Sequence, residues 1–438
     1  MWSENISFTK GQLHLSDISA TKLAQDFGTP TFFIDEEDFQ SRALHWKTEL
    51  QDNFGAQAGD VFYAAKAFIC VEVARWIREL GIGIDVCTGG ELAVALAGGI
   101  DPRKIEVHGN NKSLAEIDQA VSVGVKVIVL DSLHEIERVA AMARKHEKTQ
   151  SVFLRLTPGI QAHTHESIST AHEDVKFGFS IASGAAWNAV KEVVKHPELE
   201  LRGIHCHVGS QIFGTDSFEM ASERLIAFLA LYRDHYGKQL PELDLGGGYA
   251  ISYLPEDETV MPQDVLPALS QAVKKNCFEH NLDIPMISIE PGRAIVGPSM
   301  FTLYEVGTTK DVVLEDGKIR RYISIDGGMS DNARPSLYDA VYHAILANRE
   351  STAAEISSRI VGKHCETGDI LIKSIDLASD IVPGDLIAVP ATGAYGRSMA
   401  SNYNHVPRPP VVAVKNGKAR VIVRRENVED LLALDVKE

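Results

Sequence analysis

Lys66 is the residue whose apolar sequence neighbours say most about the chemistry of this chain. It ends a short β-rich run, VFYAAK (61–66), and stands among apolar residues. Desolvating an ammonium group at such a position is costly unless the group is paired or neutralised. A covalent imine with an aldehyde cofactor removes that conflict, and a structural ion pair is the alternative. The lysine alone therefore leaves both interpretations open.

Two glycine-containing segments further along the chain indicate a site for an anionic group. Gly246, Gly247 and Gly248 lie near the end of one β-rich run, and EPGR (290–293) ends the next. Consecutive glycines let backbone N–H groups approach an anion, although a merely tight turn is the alternative. Because the chain has a net charge of −17, we expect any bound phosphate to belong to a small cofactor. Pyridoxal phosphate supplies both the phosphate and the aldehyde that Lys66 could bind.

The elements that must position these residues form a repeating pattern. Eight β-rich runs ending in small or polar residues alternate with amphipathic helical segments: VFYAAK (61–66), IGIDVCT (82–88), KIEVHG (104–109), VKVIVLDS (125–132), SVFLRLTPG (151–159), LRGIHCHVGS (201–210), ELDLGGGY (242–249) and MISIEPGR (286–293). The pattern predicts an α/β fold with a parallel sheet, and polar endings on many strands favour a closed, TIM-like (β/α)8 barrel over an open sheet. In such a barrel, phosphate groups favour the loops after the seventh and eighth strands.

After residue 300 the pattern changes to strands joined by turns, which predicts a mainly β C-terminal domain of the barrel or sandwich type. Asn416 and Gly417 predict a hairpin corner between two β-rich runs. TPTFFID (29–35) is another β-rich run and is a candidate to join this domain. We predict a barrel domain at 35–300 and a mainly β domain built from 1–34 and 301–438.

Composition excludes several classes of function. The 438 residues include 43 Lys+Arg against 60 Asp+Glu, a balance that disfavours nucleic acid and anionic membranes as partners. The chain has no long apolar run and no signal-peptide pattern at its start. Its five cysteines form no C-x-x-C pair, so neither a disulfide framework nor a zinc knuckle is indicated. We therefore predict a cytoplasmic protein that acts on a small molecule.

A polar, histidine-rich loop follows the fifth β-rich run. His163, His165 and His172 stand there among carboxylates, and histidine–carboxylate groups can bind divalent metal. The H-x-H spacing is weak without a third fixed ligand, so we predict no metal. The loop at 163–174 is instead predicted to be a lid over the site, bounded by KFGF (176–179).

Several long motifs make the chain similar to a known family. In order they are YAAKAF, GIHCHVGSQ, DLGGGYA, ISIEPGR, DGGMSDNARPSLY, HCETGD and ATGAYGRSMASNYN. They resemble the alanine racemase-like (fold type III) pyridoxal phosphate decarboxylases from about residue 28 to the end. The resemblance implies an amino-acid decarboxylase that binds pyridoxal 5'-phosphate covalently at Lys66, and a homodimer whose β domains contribute to the active sites and the interface.

The same resemblance implies a role for individual residues. Glu290 would face the pyridine nitrogen and keep it protonated, His207 would stack on the ring, and Ser210 would donate to the phosphate. The remaining cofactor contacts would come from Gly246, Gly247, Gly248, Pro291, Gly292, Arg293 and Tyr395.

Cys365 in HCETGD would protonate the product carbanion and reach the site from the neighbouring subunit. The family often has Gly-Pro before this cysteine and Ser after the glutamate, whereas Lys363 and His364 precede it here and Thr367 follows. A non-catalytic relative would be expected to have lost Lys66 or Cys365, and both are present.

Charged groups in these motifs suggest the substrate. Arg293 and Arg334 offer guanidinium groups for carboxylates, Tyr338 and Tyr395 offer hydroxyls, and Glu366 offers a countercharge for a distal ammonium. The resemblance implies meso-2,6-diaminopimelate as the substrate, decarboxylated to L-lysine and CO2 in the last step of lysine biosynthesis, and these groups suit its two amino-acid ends. A substrate such as ornithine, arginine or carboxynorspermidine is the alternative, but a monoamine-ended one would leave the distal arginine unpaired.

Overall fold

The computed structural model describes residues 1–159 and 176–436. The chain divides into two compact units. Unit 1 comprises Met1–Ser41, Ile251–Glu258 and Ile295–Glu438, and unit 2 comprises Arg42–Ala250 and Thr259–Ala294. The predicted boundaries near residues 35 and 300 stay a prediction.

The chain begins with short strands and two helices. They are β1 (Ile6–Thr9), β2 (Gln12–Leu15), β3 (Ile18–Ser19), α1 (Ala20–Phe27), β4 (Thr31–Asp35) and α2 (Glu36–Phe54).

Unit 2 contains nine strands in the described residues. They are β5 (Ala58–Ala64), β6 (Gly83–Val86), β7 (Ile105–Val107), β8 (Val127–Leu130), β9 (Gln150–Thr157), β10 (Phe179–Ser180), β11 (Leu199–His205), β12 (Glu242–Asp244) and β13 (Met286–Ile289). β10 is a two-residue strand that pairs in parallel with the end of β9. Each of the other eight strands pairs in parallel with the next, and β13 pairs in parallel with β5. The predicted closed eight-stranded barrel is confirmed, and each of the eight predicted runs overlaps one of its strands.

Helices follow the barrel strands. They are α3 (Val71–Leu80), α4 (Gly89–Ala97), α5 (Leu114–Val123), α6 (Leu133–Lys145), α7 (Ala185–Val194), α8 (Asp216–Tyr236), α9 (Pro262–Glu279) and α10 (Arg293–Val296). Their ends carry strong local signals. The side chain of Ser113 caps α5 in a reciprocal pair with Glu116, and Gly124, with φ of 77°, ends that helix in the left-handed region.

Unit 1 is built on a mixed sheet. Its later elements are β14 (Met300–Val313), β15 (Ile319–Ile325), α11 (Arg334–Tyr338), β16 (Ile345–Leu346), β17 (Glu355–Val361), β18 (Ile370–Ala378), β19 (Leu386–Val389), β20 (Val411–Lys415), β21 (Lys418–Val423) and α12 (Val428–Leu432). The sheet order is β18-β17-β15-β14-β4-β20-β21, with β19 paired to β14 and β16. β4 therefore joins the mainly β unit, and β20 and β21 form the hairpin predicted at Asn416 and Gly417.

The core of this unit collects side chains from both ends of the chain. Phe33 on β4 stacks on Phe301 on β14 with ring centroids 5.5 Å apart, and Val412 on β20 belongs to the same fully buried cluster. This packing holds the N-terminal strand in the C-terminal sheet. Across the described residues, no helix is both long enough and apolar enough to cross a bilayer.

Candidate active site

Lys66 lies two residues after the end of β5, at the carboxyl end of the barrel. It is half-buried between Ala65 and Ala67, which are both buried. The backbone N–H of Ala65 donates to the carbonyl of Asp85 at 3.0 Å, which fixes the turn that carries the lysine. The charge of Lys66 lowers the pKa of His207, after the larger lowering caused by burial of the imidazole. His207 is therefore neutral at physiological pH.

The three consecutive glycines sit where backbone segments approach closely. A Cβ at Gly247 would lie 2.1 Å from the carbonyl oxygen of Glu290, and one at Gly246 would lie 2.3 Å from that of Cys206. Gly248 has a φ of 114°, and its Cβ would lie 2.2 Å from the carbonyl oxygen of Gly209. Only glycine allows the loops after β11, β12 and β13 to meet here.

Ser210 and Arg293 are brought together from two of those loops. Arg293 Nη2 donates to Ser210 Oγ at 2.9 Å, and the arginine is only 9% exposed. Gly292, beside it, is packed so closely that a Cβ would lie 2.7 Å from the Cβ of Ala64. A hydroxyl, a guanidinium and glycine backbones thus share one region of the barrel rim, which is a suitable donor set for a phosphate.

Glu290 is buried between two histidines that the sequence analysis did not single out. Its Oε1 lies 3.0 Å from Nε2 of His108 and 3.2 Å from Nε2 of His205. Burial alone would raise the pKa of Glu290, but the two histidines outweigh it and hold that pKa well below its ordinary value. Glu290 is therefore a carboxylate.

Three other carboxyl groups of the barrel interior behave in the opposite way. Asp85, Glu106 and Asp244 are buried, and desolvation raises the pKa of each one, with the charge of Glu290 adding to the effect. Carboxylates in such close proximity cannot all ionise. Among these four buried acids of the described residues, Glu290 is therefore the one that carries the negative charge. An aspartate or glutamate inside a short apolar strand is the sequence signal that could have revealed the cluster.

The remaining predicted residues lie in unit 1. Arg334 begins α11 and is 7% exposed, and its guanidinium lies over the rings of Tyr253 and Tyr342 at 4.8 and 5.5 Å. Its Nη1 donates to the Tyr342 hydroxyl at 2.5 Å. Tyr338, at the end of α11, is exposed, and Tyr395 adopts a φ of 61°, in the left-handed region.

The loop that carries Cys365 is tied at its base. Asp369 accepts from the backbone N–H groups of Met329 at 2.7 Å and His364 at 2.8 Å. His364 Nε2 lies 2.8 Å from Ser330 Oγ. Cys365 and Glu366 follow this anchor and are exposed. The predicted lid at 163–174, with the metal alternative at its histidines, lies outside the described residues.

Comparison with known proteins assigns the class. Residues 36–297 match the family model described as "Pyridoxal-dependent decarboxylase, pyridoxal binding domain". The chain therefore belongs to the pyridoxal-dependent decarboxylases, and the predictions of a carboxy-lyase and of a pyridoxal phosphate cofactor are confirmed.

Three similar proteins share one named activity. The chain is 50% identical to a diaminopimelate decarboxylase of Mycobacterium bovis, covering 100% of this chain and 98% of that one. It is 42% identical to a diaminopimelate decarboxylase of Bacillus subtilis, covering 97% and 95%. Among solved structures, diaminopimelate decarboxylase from M. jannaschii in complex with L-lysine has a TM-score of 0.89 at 28% identity, covering 100% and 99%.

Proposed function

We propose that this protein converts meso-diaminopimelate to L-lysine and CO2, as the last step of lysine biosynthesis. The full-length similarity to diaminopimelate decarboxylases supports the substrate. The observation that carries the chemistry is the ionised, buried Glu290 beside a glycine-lined rim and a lysine at a strand end. A decarboxylase of ornithine, arginine or carboxynorspermidine is not favoured by these relatives.

The barrel residues suit the cofactor. The Lys66 amine would bind its aldehyde covalently, the neutral ring of His207 would lie against its pyridine face, and Glu290 would bind its ring nitrogen. Ser210, Arg293 and the backbone at 246–248 and 290–293 would hold the phosphate. When bound, pyridoxal phosphate supplies an electron sink for the pair left at Cα as CO2 departs.

Arg334 is suited to bind a substrate carboxylate. Within the described residues its side-chain partners are aromatic, and no carboxylate pairs with it. Its guanidinium keeps its charge available for a bidentate pair. In the described parts of the chain, the Glu366 carboxylate accepts from the Thr367 hydroxyl and the N–H of Gly368 and pairs with no cation. It can therefore pair with the distal ammonium, with Tyr338 and Tyr395 adding hydroxyl contacts.

Cys365 is the proposed proton donor. After the Cα–carboxylate bond breaks, a proton must return to Cα, and the exposed thiol on an anchored loop can deliver it. We propose that this loop acts in the active site of the partner subunit of a homodimer, with the mainly β domain contributing to the interface. We also place the reaction in the cytoplasm, since the five cysteines are free thiols.

Lysine formation from meso-diaminopimelate, measured beside ornithine and arginine, tests the substrate. Borohydride reduction followed by peptide mapping tests the attachment at Lys66. Cys365→Ala should lower turnover by at least about a hundredfold while cofactor binding is unchanged. Equal turnover of ornithine would contradict the substrate assignment, and a reduced lysine other than Lys66 would contradict the attachment.

Shared active sites can be tested by mixing two inactive variants. Lys66→Ala and Cys365→Ala chains that exchange subunits should regain roughly a quarter of the wild-type activity, because half of the dimers then contain one intact site. No recovery after verified subunit exchange would show that both residues act from one chain.

A further inference from the structure

We infer that His108 and His205 are positioning residues that hold Glu290 ionised and aimed at the cofactor ring nitrogen, His108 as a cation and His205 as a neutral donor. This inference rests on the proposed cofactor site. It goes beyond that site because it assigns different electrostatic roles to two histidines that do not touch the substrate.

Geometry supports the first part of this inference. His108 follows β7, His205 ends β11 and Glu290 follows β13, so three separate strands bring them together. Both Nε2 atoms approach the same oxygen, Oε1, which is enclosed. Oε1 has no other hydrogen-bond partner among the described residues. The two histidines thus contact one carboxylate oxygen, and we assign the other oxygen, Oε2, to the cofactor ring nitrogen.

The neighbouring charged groups give the two histidines different protonation states. Burial opposes a charge on His108, but Glu290 and Asp85 raise its pKa to about 10. Burial lowers the pKa of His205 to about 4, and the neighbouring His108 adds to that lowering. The rings lie edge to face, with centroids 4.8 Å apart, so two positive charges there would repel. A single cation on His108 is the favoured arrangement.

Among the described residues, no charged group that we find on the neighbouring strands takes the place of His108 as the cation beside Glu290. Glu106 on β7, Asp244 on β12 and Asp85 on β6 are acids with raised pKa values. Lys126 lies 4.0 Å from Glu106 Oε1 and 3.3 Å from Glu242. Arg155 on β9 lies 4.0 Å from Asp131. Lys126 and Arg155 thus each have their own carboxylate neighbour. Lys66 acts on Asp85 and His207 and would lose its charge in the proposed covalent link to the cofactor. His108, 3.0 Å from Oε1, is therefore the cation that we pair with Glu290.

The test compares two glutamine variants that keep an N–H donor. His108→Gln removes a cation, whereas His205→Gln replaces a neutral donor with another. The apparent Kd of the apoprotein for pyridoxal phosphate should rise by about tenfold in His108→Gln. It should change by less than about threefold in His205→Gln. Both histidines are buried and both substitutions are the same, so a purely structural effect would weaken cofactor binding equally. Equal rises in Kd would therefore overturn the division of roles.

A double-mutant cycle separates positioning from a general structural role. In a Glu290→Gln background, His108→Gln should change the Kd by less than about twofold, since the charge that it supports is gone. Multiplicative effects would overturn the inference. Stoichiometric zinc in the purified protein would also overturn it, since the same three ligands would then hold a metal. If the wild type binds the cofactor but does not decarboxylate meso-diaminopimelate, only the proposed substrate fails, and the Kd cycle still reports on His108.

Discussion

Replacing His108 by Gln should make the stability of the apoprotein less dependent on pH. The pKa of His108 is raised from an ordinary 6.5 to about 10 by Glu290 and Asp85 against the cost of burial. A raised pKa means that the folded protein binds this proton more tightly than the unfolded chain does. The stabilisation is complete below pH 6.5 and is lost as the pH rises toward 10. At pH 7 it amounts to about 4 kcal/mol.

The assay is thermal unfolding of wild type and variant apoproteins at intervals from pH 6.5 to 10. The variant should melt several degrees below the wild type at pH 7, and the gap should narrow as the pH approaches 10. Lost packing would lower the melting temperature equally at every pH, so only the change in the gap reports the charge. Exposed His134→Gln is the matched control and should show no such change. A gap that stays constant or widens with pH would refute the reasoning.

Three further substitutions test the rim, the substrate arginine and the cysteine loop. Gly247→Ala should destabilise the protein by more than about 2 kcal/mol in thermal unfolding, because the new Cβ would meet the Glu290 carbonyl. The control Gly214→Ala should be neutral, because a Cβ at Gly214 would point into open space. Arg334→Lys should raise the KM for meso-diaminopimelate by about tenfold with a smaller effect on kcat, and an unchanged KM would argue against carboxylate binding at this residue. Asp369→Asn should lower kcat and reduce the free energy of unfolding by about 1–3 kcal/mol, because an amide cannot accept from both the Met329 and the His364 N–H groups. Wild-type turnover in this variant would show that the anchor does not position Cys365.

Sequence patterning was sufficient for the main elements of both units. All eight predicted β-rich runs overlap barrel strands, because short apolar runs ending in polar residues are the local requirement of a parallel barrel. Asn416 and Gly417 lie at the predicted hairpin corner, where positive φ favours these residue types. Six strands lie outside the predicted β-rich runs: the short strands β1, β2, β3, β10 and β16, and the longer β17. β17 (EISSRIV) buries Ser358 as well as Ile360, which weakens its apolar pattern.

Tertiary structure alone decided which groups act together. Lys66, the glycine rim and Glu290 could be selected from motifs, but the partners of Glu290 could not. His108 and His205 are far from Glu290 in sequence, and only closure of the barrel through the β13–β5 pairing brings β7, β11 and β13 around one interior. Four acids share that interior, and residue type does not distinguish them. Glu290 keeps its charge because two imidazoles reach it, and that proximity exists only in the folded chain.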